Sequence, residues 1–562
     1  MNTPHQNATL QPTVSSTSKQ VSNTLVWRIL IGLIISAGIF FRLFHYFNNR
    51  SLWIDEAYLS ISLIKMGFVE LATPPLEYQQ KAPIGFLWAV RSMVLLFGKK
   101  EMALRLIPLL CGLAALFVFL PVARYFLKPV GVVVAFGIIC FAPPLVYHAV
   151  EIKQYGSEML ATVLCLYLYI RYEGKMQLGS LLSWGFWGAL ILWFSYSAIF
   201  ILAGMAFGVC LYYLWNKEWK KLFSSVIPFS MWLISFAINF FLFTFKHADS
   251  EWLTTWFRLR EGFMPFPFHS LADVKWLFQA FYRFLDFPLG MLWNFDLAVT
   301  SSATNLIKLV MALFTLFIWG LGMVAFFRED KKIFWVLTFP LLLTLVASGL
   351  QLYPFYERLL VFLAPIVILF IAKGCVLVNH LFRAKRLMVY LLPVLLLIWP
   401  VYSSAKQVMM PHLFGGKKNA SEREALFYIK DRYKEGDVVY IYWNFLHTYL
   451  YYKDAYNLTF PKTIEGSDKK LQAKNTADYF SMMEPEFSAI AKNKRVWFIH
   501  NRMLKLNIGD FDGQPAWYFA QEVEAGTMFE KKFSTMGKSM DVYQNPYLQV
   551  SLYNLNQQKS GQ

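Results

Sequence analysis

Runs of mostly apolar residues, each about long enough to cross a bilayer as a helix, recur along most of this chain, and nothing else restricts its fold as strongly. A spanning helix needs about 20 such residues, because each advances about 1.5 Å and lipid offers its backbone no hydrogen bonds. The runs are Leu25–Tyr46, Met102–Phe126, Val130–Val150, Ser157–Ile170, Leu181–Leu202, Gly204–Trp215, Leu222–Phe245, Asn305–Phe327, Ile333–Gln351, Leu359–Phe382 and Leu387–Ser404. They predict a polytopic α-helical membrane protein with about 11 spans. Of 562 residues, 57% are hydrophobic and only 16% charged. A soluble fold could not bury so much apolar surface, so lipid must cover part of it.

The formal charge of +18 becomes informative once it is located. Lys and Arg gather in alternate connections: Lys19 and Arg28; Arg124 and Lys128; Arg171 and Lys175; Lys217, Lys220 and Lys221; Arg328, Lys331 and Lys332; Arg383, Lys385 and Arg386. That is a topology signal with the N-terminus cytoplasmic. It is not the basic stripe of a soluble nucleic-acid binder, so no nucleic-acid partner is expected. An odd number of spans then puts the C-terminus outside. Residues 1–23, rich in Ser, Thr, Gln and Asn, read as a disordered cytoplasmic tail. Residues 24–405 form the membrane domain, with long outer loops at 47–101 and 246–304. Within the first loop, the apolar stretch Ile84–Phe97 is interrupted by Arg91 and is expected on the membrane surface, with a twelfth span as the alternative. In the second, Ser270 with Asp273 three residues on predicts a capped interfacial helix carrying Trp276, Phe278, Phe281, Tyr282 and Phe284. Residues 406–562 read as an extracytoplasmic α/β domain, with a helix starting at Ser421, a turn at Gly436-Asp437, and strands at Val438–Trp443 and Arg495–His500.

Residues able to do chemistry collect at the expected outer boundary. Asp55 and Glu56 follow the first span closely; such carboxylates can act as a general base or merely begin a solvated helix. Glu151-Ile-Lys153-Gln-Tyr155 sits where the third span should emerge, as a second acidic site or a charged cap. Arg42, near the outer end of the first span, needs a partner, a path to the interface or an anionic ligand. Tyr353-Pro-Phe-Tyr356-Glu-Arg358 is a short outer turn whose Arg358 can clamp a phosphate, and Lys81, ahead of Pro83, is another cation. The five cysteines all fall within apolar runs and read as small buried hydrophobes. The histidines show no metal-ligand spacing.

On Arg42, Ser51-Leu-Trp-Ile-Asp-Glu-Ala-Tyr58, Lys81-Ala-Pro83, Met102-Ala-Leu-Arg-Leu-Ile-Pro108, Glu151-Ile-Lys-Gln-Tyr155 and Tyr353-Pro-Phe-Tyr-Glu-Arg358, the chain resembles the bacterial family 39-like, GT-C type membrane glycosyltransferases. These include protein O-mannosyltransferases and the aminoarabinose transferase of lipid A. The resemblance implies a bacterial inner-membrane enzyme that moves a sugar from a polyprenyl-phosphate donor to a lipid, glycan or protein acceptor. It implies Asp55 as base, Glu56 and Glu151 as its acidic partners, and Arg42, Lys81 and Arg358 on the departing phosphate. Lys153, Tyr155 and Tyr356 would position the substrate, and inversion would follow from a single displacement. Some relatives use a divalent cation, Mg or Mn, and others do not, so the resemblance leaves a cofactor open. The chain departs from many relatives in the single proline of Lys81-Ala-Pro83 and in Phe194-Ser-Tyr-Ser197, where a His-Tyr-like pair is expected. A transporter or a lipid-linked-glycan-binding scaffold is the alternative. A transporter usually sets its polar groups near the midplane of a repeated unit, whereas here charge concentrates at one surface without a repeat.

Overall fold

The computed structural model describes residues 14–73, 75–244, 251–294, 302–381, 386–416, 421–502 and 525–555. Its helices are α1 (Val14–Asn48), α2 (Ile54–Lys65), α3 (Ile84–Phe97), α4 (Glu101–Phe126), α5 (Pro129–Phe141), α6 (Pro143–His148), α7 (Tyr155–Tyr172), α8 (Leu178–Ile191) and α9 (Ala198–Trp215). They continue with α10 (Trp219–Asn239), α11 (Glu251–Leu259), α12 (Leu271–Asp286), α13 (Ser302–Glu329), α14 (Lys331–Gly349), α15 (Ala364–Leu381) and α16 (Arg386–Met409). Among the described residues, 8 helices are long and apolar enough to cross a membrane, and α3, α5 and α8 are shorter apolar helices. The chain is a multi-pass helical membrane protein. Large apolar side chains on the rim of the bundle, such as Leu33, Phe117, Phe186, Phe207 and Phe317, are exposed and suit a lipid surround.

Several expected boundaries move, each for a local reason. α1 begins at Val14 and so extends into the stretch read as a disordered tail, while residues 1–13 lie outside the described residues. The run Val130–Val150 is broken at Ala142 into α5 and α6, because Pro143 and Pro144 cannot continue the backbone hydrogen bonds of α5. The boundary expected near Gly204 falls instead at residues 192–197, where Ser195 Oγ accepts the Ala198 N–H at 3.1 Å and starts α9. Gly204 is a notch within α9, and a Cβ there would strike the backbone and ring of Pro340 in α14. Phe245 and Phe382, the expected ends of two spans, lie outside the described residues.

At the centre, residues 364–372 at the start of α15 are fully buried. α15 lies against α13 through Gly322 and Gly374, where a Cβ would overlap the carbonyls of Phe370 and Ile318. The Ser270–Asp273 capping box forms as expected: Ser270 Oγ accepts the Asp273 N–H at 3.3 Å and Asp273 accepts the Ser270 N–H at 2.8 Å. α3 spans the expected residues. The Arg91 guanidinium that interrupts its apolar face donates to the carbonyls of Leu63 and Ile64 at 2.9 and 3.1 Å. It therefore caps the negative end of α2.

The C-terminal domain is a five-stranded sheet, β1 (Val438–Ile441), β2 (Thr463–Glu465), β3 (Arg495–Asn501), β4 (Lys538–Gln544) and β5 (Leu548–Asn554), in the order β2-β1-β3-β5-β4. β1 runs parallel to β2 and β3, and β5 antiparallel to β3 and β4. Gly436, at φ +87°, turns the chain into β1. Strand β1 ends at Ile441, short of the expected Trp443, which instead begins α18 (Trp443–Tyr456). One sheet face, with Val439, Ile441, Trp497, Ile499 and Val550, joins α18 and α17 (Glu422–Arg432) in a core continuous with Leu59 and Leu63 of α2 and with Phe86 of α3. The domain thus packs on the loop that carries Asp55 and Glu56.

The α13–α15 contact generates a test. Gly374→Val should destabilise the fold by about 1–3 kcal/mol through overpacking, read as a lower midpoint of thermal denaturation in detergent. An unchanged midpoint would contradict the close approach of these helices.

Candidate active site

Glu56 organises the site although it is buried to 0% exposure. Its carboxylate pairs with Arg50 at 2.7 Å and with Arg105 of α4 at 3.0 and 3.2 Å, and it accepts the Ile152 N–H at 3.0 Å. Burial alone would raise its pKa, but the Arg105 and Arg50 guanidinia outweigh burial and hold it below the usual glutamate range. Arg105 also donates to the carbonyls of Arg50 and Ser51 at 2.6 and 3.3 Å, and Arg50 to the Tyr147 hydroxyl at 3.1 Å. The start of α2 is thereby fixed to α4, α6 and the turn before α7.

Glu151, next to Ile152, reaches the same place from the turn before α7. His148 Nδ1 lies 2.7 Å from its Oε2, and Trp53 Nε1 donates to its Oε1 at 3.1 Å. Both acidic sites therefore face one region. Asp55, adjacent to Glu56 but turned about 100° away on the helix, pairs with Arg358 at 2.6 Å. Their side chains keep 17% and 27% exposure, so a ligand can reach this pair and cannot reach Glu56. The Arg358 guanidinium lies 5.7 Å from the Trp53 ring and 5.8 Å from the Tyr155 ring. Lys153 is buried, and burial lowers its pKa while Asp55 pulls it back up. Its ammonium donates to the Gln80 side chain.

The remaining expected residues separate. Arg42 does not join the acidic cluster: fully buried, it donates to the carbonyls of Gly38, Ile139 and Cys140 at 3.0, 2.9 and 3.2 Å, and so ties α1 to α5. Lys81, one residue beyond Gln80, lines a small recess with Leu71, Leu76, Tyr196 and Phe243. Tyr356 turns toward Trp256 and Phe257, with ring centroids 6.2 and 5.9 Å away, and burial together with Glu357 pushes its hydroxyl up to about 12. The two segments that depart from the family pattern meet each other, since the Tyr196 hydroxyl donates to the Ala82 carbonyl at 2.8 Å. The sequence reading assigned no role to Arg50, Arg105, His148 or Gln80. Of these, only His148 carried a local signal, its spacing of three residues from Glu151. Among the described residues, no three His, Cys, Asp or Glu side chains are grouped to hold a divalent cation such as Mg or Mn.

A reachable carboxylate–guanidinium pair beside a second carboxylate and a buried ammonium can bind a phosphate and accept a proton. Comparison with known proteins shows what the chain is similar to. Residues 81–243 match the family described as dolichyl-phosphate-mannose-protein mannosyltransferase. The fold matches ArnT from Cupriavidus metallidurans bound to undecaprenyl phosphate, with a TM-score of 0.51 and 13% identity, covering 95% of this chain and 99% of that one. The chain thus shares a fold with this ArnT and is similar to the mannosyltransferase family over residues 81–243. The apo form of the same ArnT gives a TM-score of 0.49 at 13% identity, covering 94% of this chain and 98% of that one. An oligosaccharyltransferase from Archaeoglobus fulgidus, in complex with Zn and sulfate, gives 0.45 at 14% identity, covering 84% of this chain and 67% of that one. A direct sequence comparison with curated proteins finds no match. The segment matched by the family includes Lys81, Arg105, Glu151 and Lys153, while Asp55 and Arg358 flank it.

The Arg50–Glu56–Arg105 cluster generates a second test. Glu56→Gln leaves two buried guanidinia without their counter-charge and should cost about 3–5 kcal/mol, read as a lower denaturation midpoint at neutral pH. Because the folded pKa of Glu56 is depressed, its contribution is complete above the ordinary glutamate pKa and is lost as pH falls toward the folded value. The wild type should therefore lose stability over that acid range, and the variant should lose less. Equal stability at neutral pH would contradict the role given to Glu56.

Proposed function

We propose that this enzyme transfers a sugar from a polyprenyl-phosphate donor to an acceptor hydroxyl on the extracytoplasmic face of a bacterial inner membrane. Asp55 is the base. It takes the acceptor proton as the acceptor oxygen attacks the anomeric carbon. The bond from that carbon to the phosphate oxygen breaks, and the electron pair leaves with the polyprenyl phosphate. Inversion follows from this single displacement.

The observation that carries the reading is the Asp55–Arg358 pair, 2.6 Å apart and partly open, beside buried Glu151 and Lys153. A donor phosphate would compete for Arg358 and so free Asp55 from its counter-charge when substrate is present. Arg358, Lys153 and, from the adjacent recess, Lys81 would then meet the charge that grows on the leaving phosphate. Glu151 would hold the Trp53 and His148 walls of the pocket. Alternating Lys and Arg clusters support the orientation, with the N-terminus in the cytoplasm. The resemblance to enzymes of this class and the undecaprenyl phosphate in the Cupriavidus ArnT structure support the donor class.

Asp55→Asn keeps the shape and removes the base. Transfer of radiolabelled sugar from the polyprenyl-phosphate pool of membrane vesicles into acceptors should fall by about 10²–10⁴-fold, with undecaprenyl phosphate still bound. Transfer at the wild-type rate would overturn the assignment of Asp55 and favour a transporter or scaffold.

A further inference from the structure

The C-terminal domain meets the Asp55 loop at its most sensitive point, the few residues between the end of α1 and the start of α2. Asn49 ends α1 in the left-handed region, at φ 45°. Its carbonyl accepts from Arg423 Nη2 at 2.8 Å, and the same guanidinium donates through Nη1 to Glu101 at the start of α4, also at 2.8 Å. Ser51 Oγ accepts the Arg423 N–H at 3.2 Å and donates to Glu424. The Leu52 N–H donates to the Tyr452 hydroxyl at 2.9 Å, with both residues wholly buried. The Tyr456 hydroxyl donates to Glu101 at 2.5 Å, and the Tyr451 hydroxyl to the Lys99 carbonyl at 3.0 Å. Further along α2, the His447 ring lies 4.5 Å from the Tyr58 ring. The start of α17 and one face of α18 thus grip the segment immediately ahead of Asp55.

These contacts do more than attach a domain. Polar bonds to residues 49, 51 and 52 fix both where α2 begins and its rotation about its own axis. That rotation decides whether Asp55 or its neighbour faces the pocket, since adjacent helical residues differ by about 100°. Proton abstraction tolerates little displacement: about 1 Å of misplacement can cost about a hundredfold.

We propose that the C-terminal domain is a positioning element for Asp55, acting through Arg423 and Tyr452. This rests on the reading of Asp55 as the base. Neither residue touches the pocket, so both set the rate through the geometry of α2 and leave phosphate binding alone.

Hydrogen–deuterium exchange on the full-length protein in detergent, with Tyr452→Phe and Arg423→Gln, tests the grip. Amides of residues 49–57 should exchange about tenfold faster in each variant, while β1, β3 and the spanning helices keep wild-type protection. Undecaprenyl phosphate, used as the probe, should bind within about twofold of wild type, and sugar transfer in vesicles should fall about tenfold with an unchanged donor KM. Should Arg423→Gln loosen the whole C-terminal domain, Tyr452→Phe decides, because it keeps the aromatic ring in the core. Wild-type exchange across residues 49–57 in the Tyr452→Phe protein would overturn the proposal, as would a rise in donor KM with unchanged turnover. Absence of transfer even in the wild type would instead refute the glycosyltransferase reading, and the exchange result would still decide whether the domain holds α2.

Discussion

Two guanidinia and two main-chain amides converge on the Glu56 carboxylate, and the geometry of the site follows from that convergence. A carboxylate withdrawn from water is stable only when paired and fully hydrogen-bonded. The partners come from the loop after α1, from α4 and from the turn before α7, so satisfying one charge fixes three elements together. The next residue, Asp55, then has a defined direction. It points to Arg358, which comes from the turn ahead of α15. A structural carboxylate and a reachable one thus stand side by side, and helical geometry separates their environments.

The rest of the architecture supports that junction from two sides. Within the bundle, glycine notches at Gly204, Gly322 and Gly374 let helices approach closely. The start of α15 is buried on all sides and serves as a rigid post behind the Arg358 turn. Beyond the bundle, the sheet of the C-terminal domain shares an apolar core with α2 and α3. Arg91 caps the end of α2 while Glu56 and Trp53 shape its beginning. A short helix at a membrane boundary would otherwise have little to hold it, since isolated helices of this length are marginal in water.

Much of this is legible in the sequence because lipid imposes long-range order on local composition. Apolar runs give the spans, and Ser270 with Asp273 gives the start of α12, since both signals lie within a few residues of what they determine. Asp55, Glu151 and Arg358 stand out as charges at expected helix ends. What the sequence does not reveal is pairing across distance. Nothing near Glu56 says that Arg105 will neutralise it, and nothing near Arg42 says that the carbonyls of Ile139 and Cys140 will take up its donors. Gly204 reads as a break because its partner, Pro340, lies in another helix. The grip of Arg423 and Tyr452 on residues 49–52 is equally invisible, since Leu52 and Tyr452 lie 400 positions apart.

The account stands or falls on whether the pocket around Asp55 and Arg358 holds a polyprenyl phosphate. Native mass spectrometry of the protein purified in mild detergent measures this most directly. The wild type should retain a polyprenyl phosphate or its glycosylated form, and Arg358→Gln should lose it. Recovery of bulk phospholipid alone, identical in both proteins, would contradict the account.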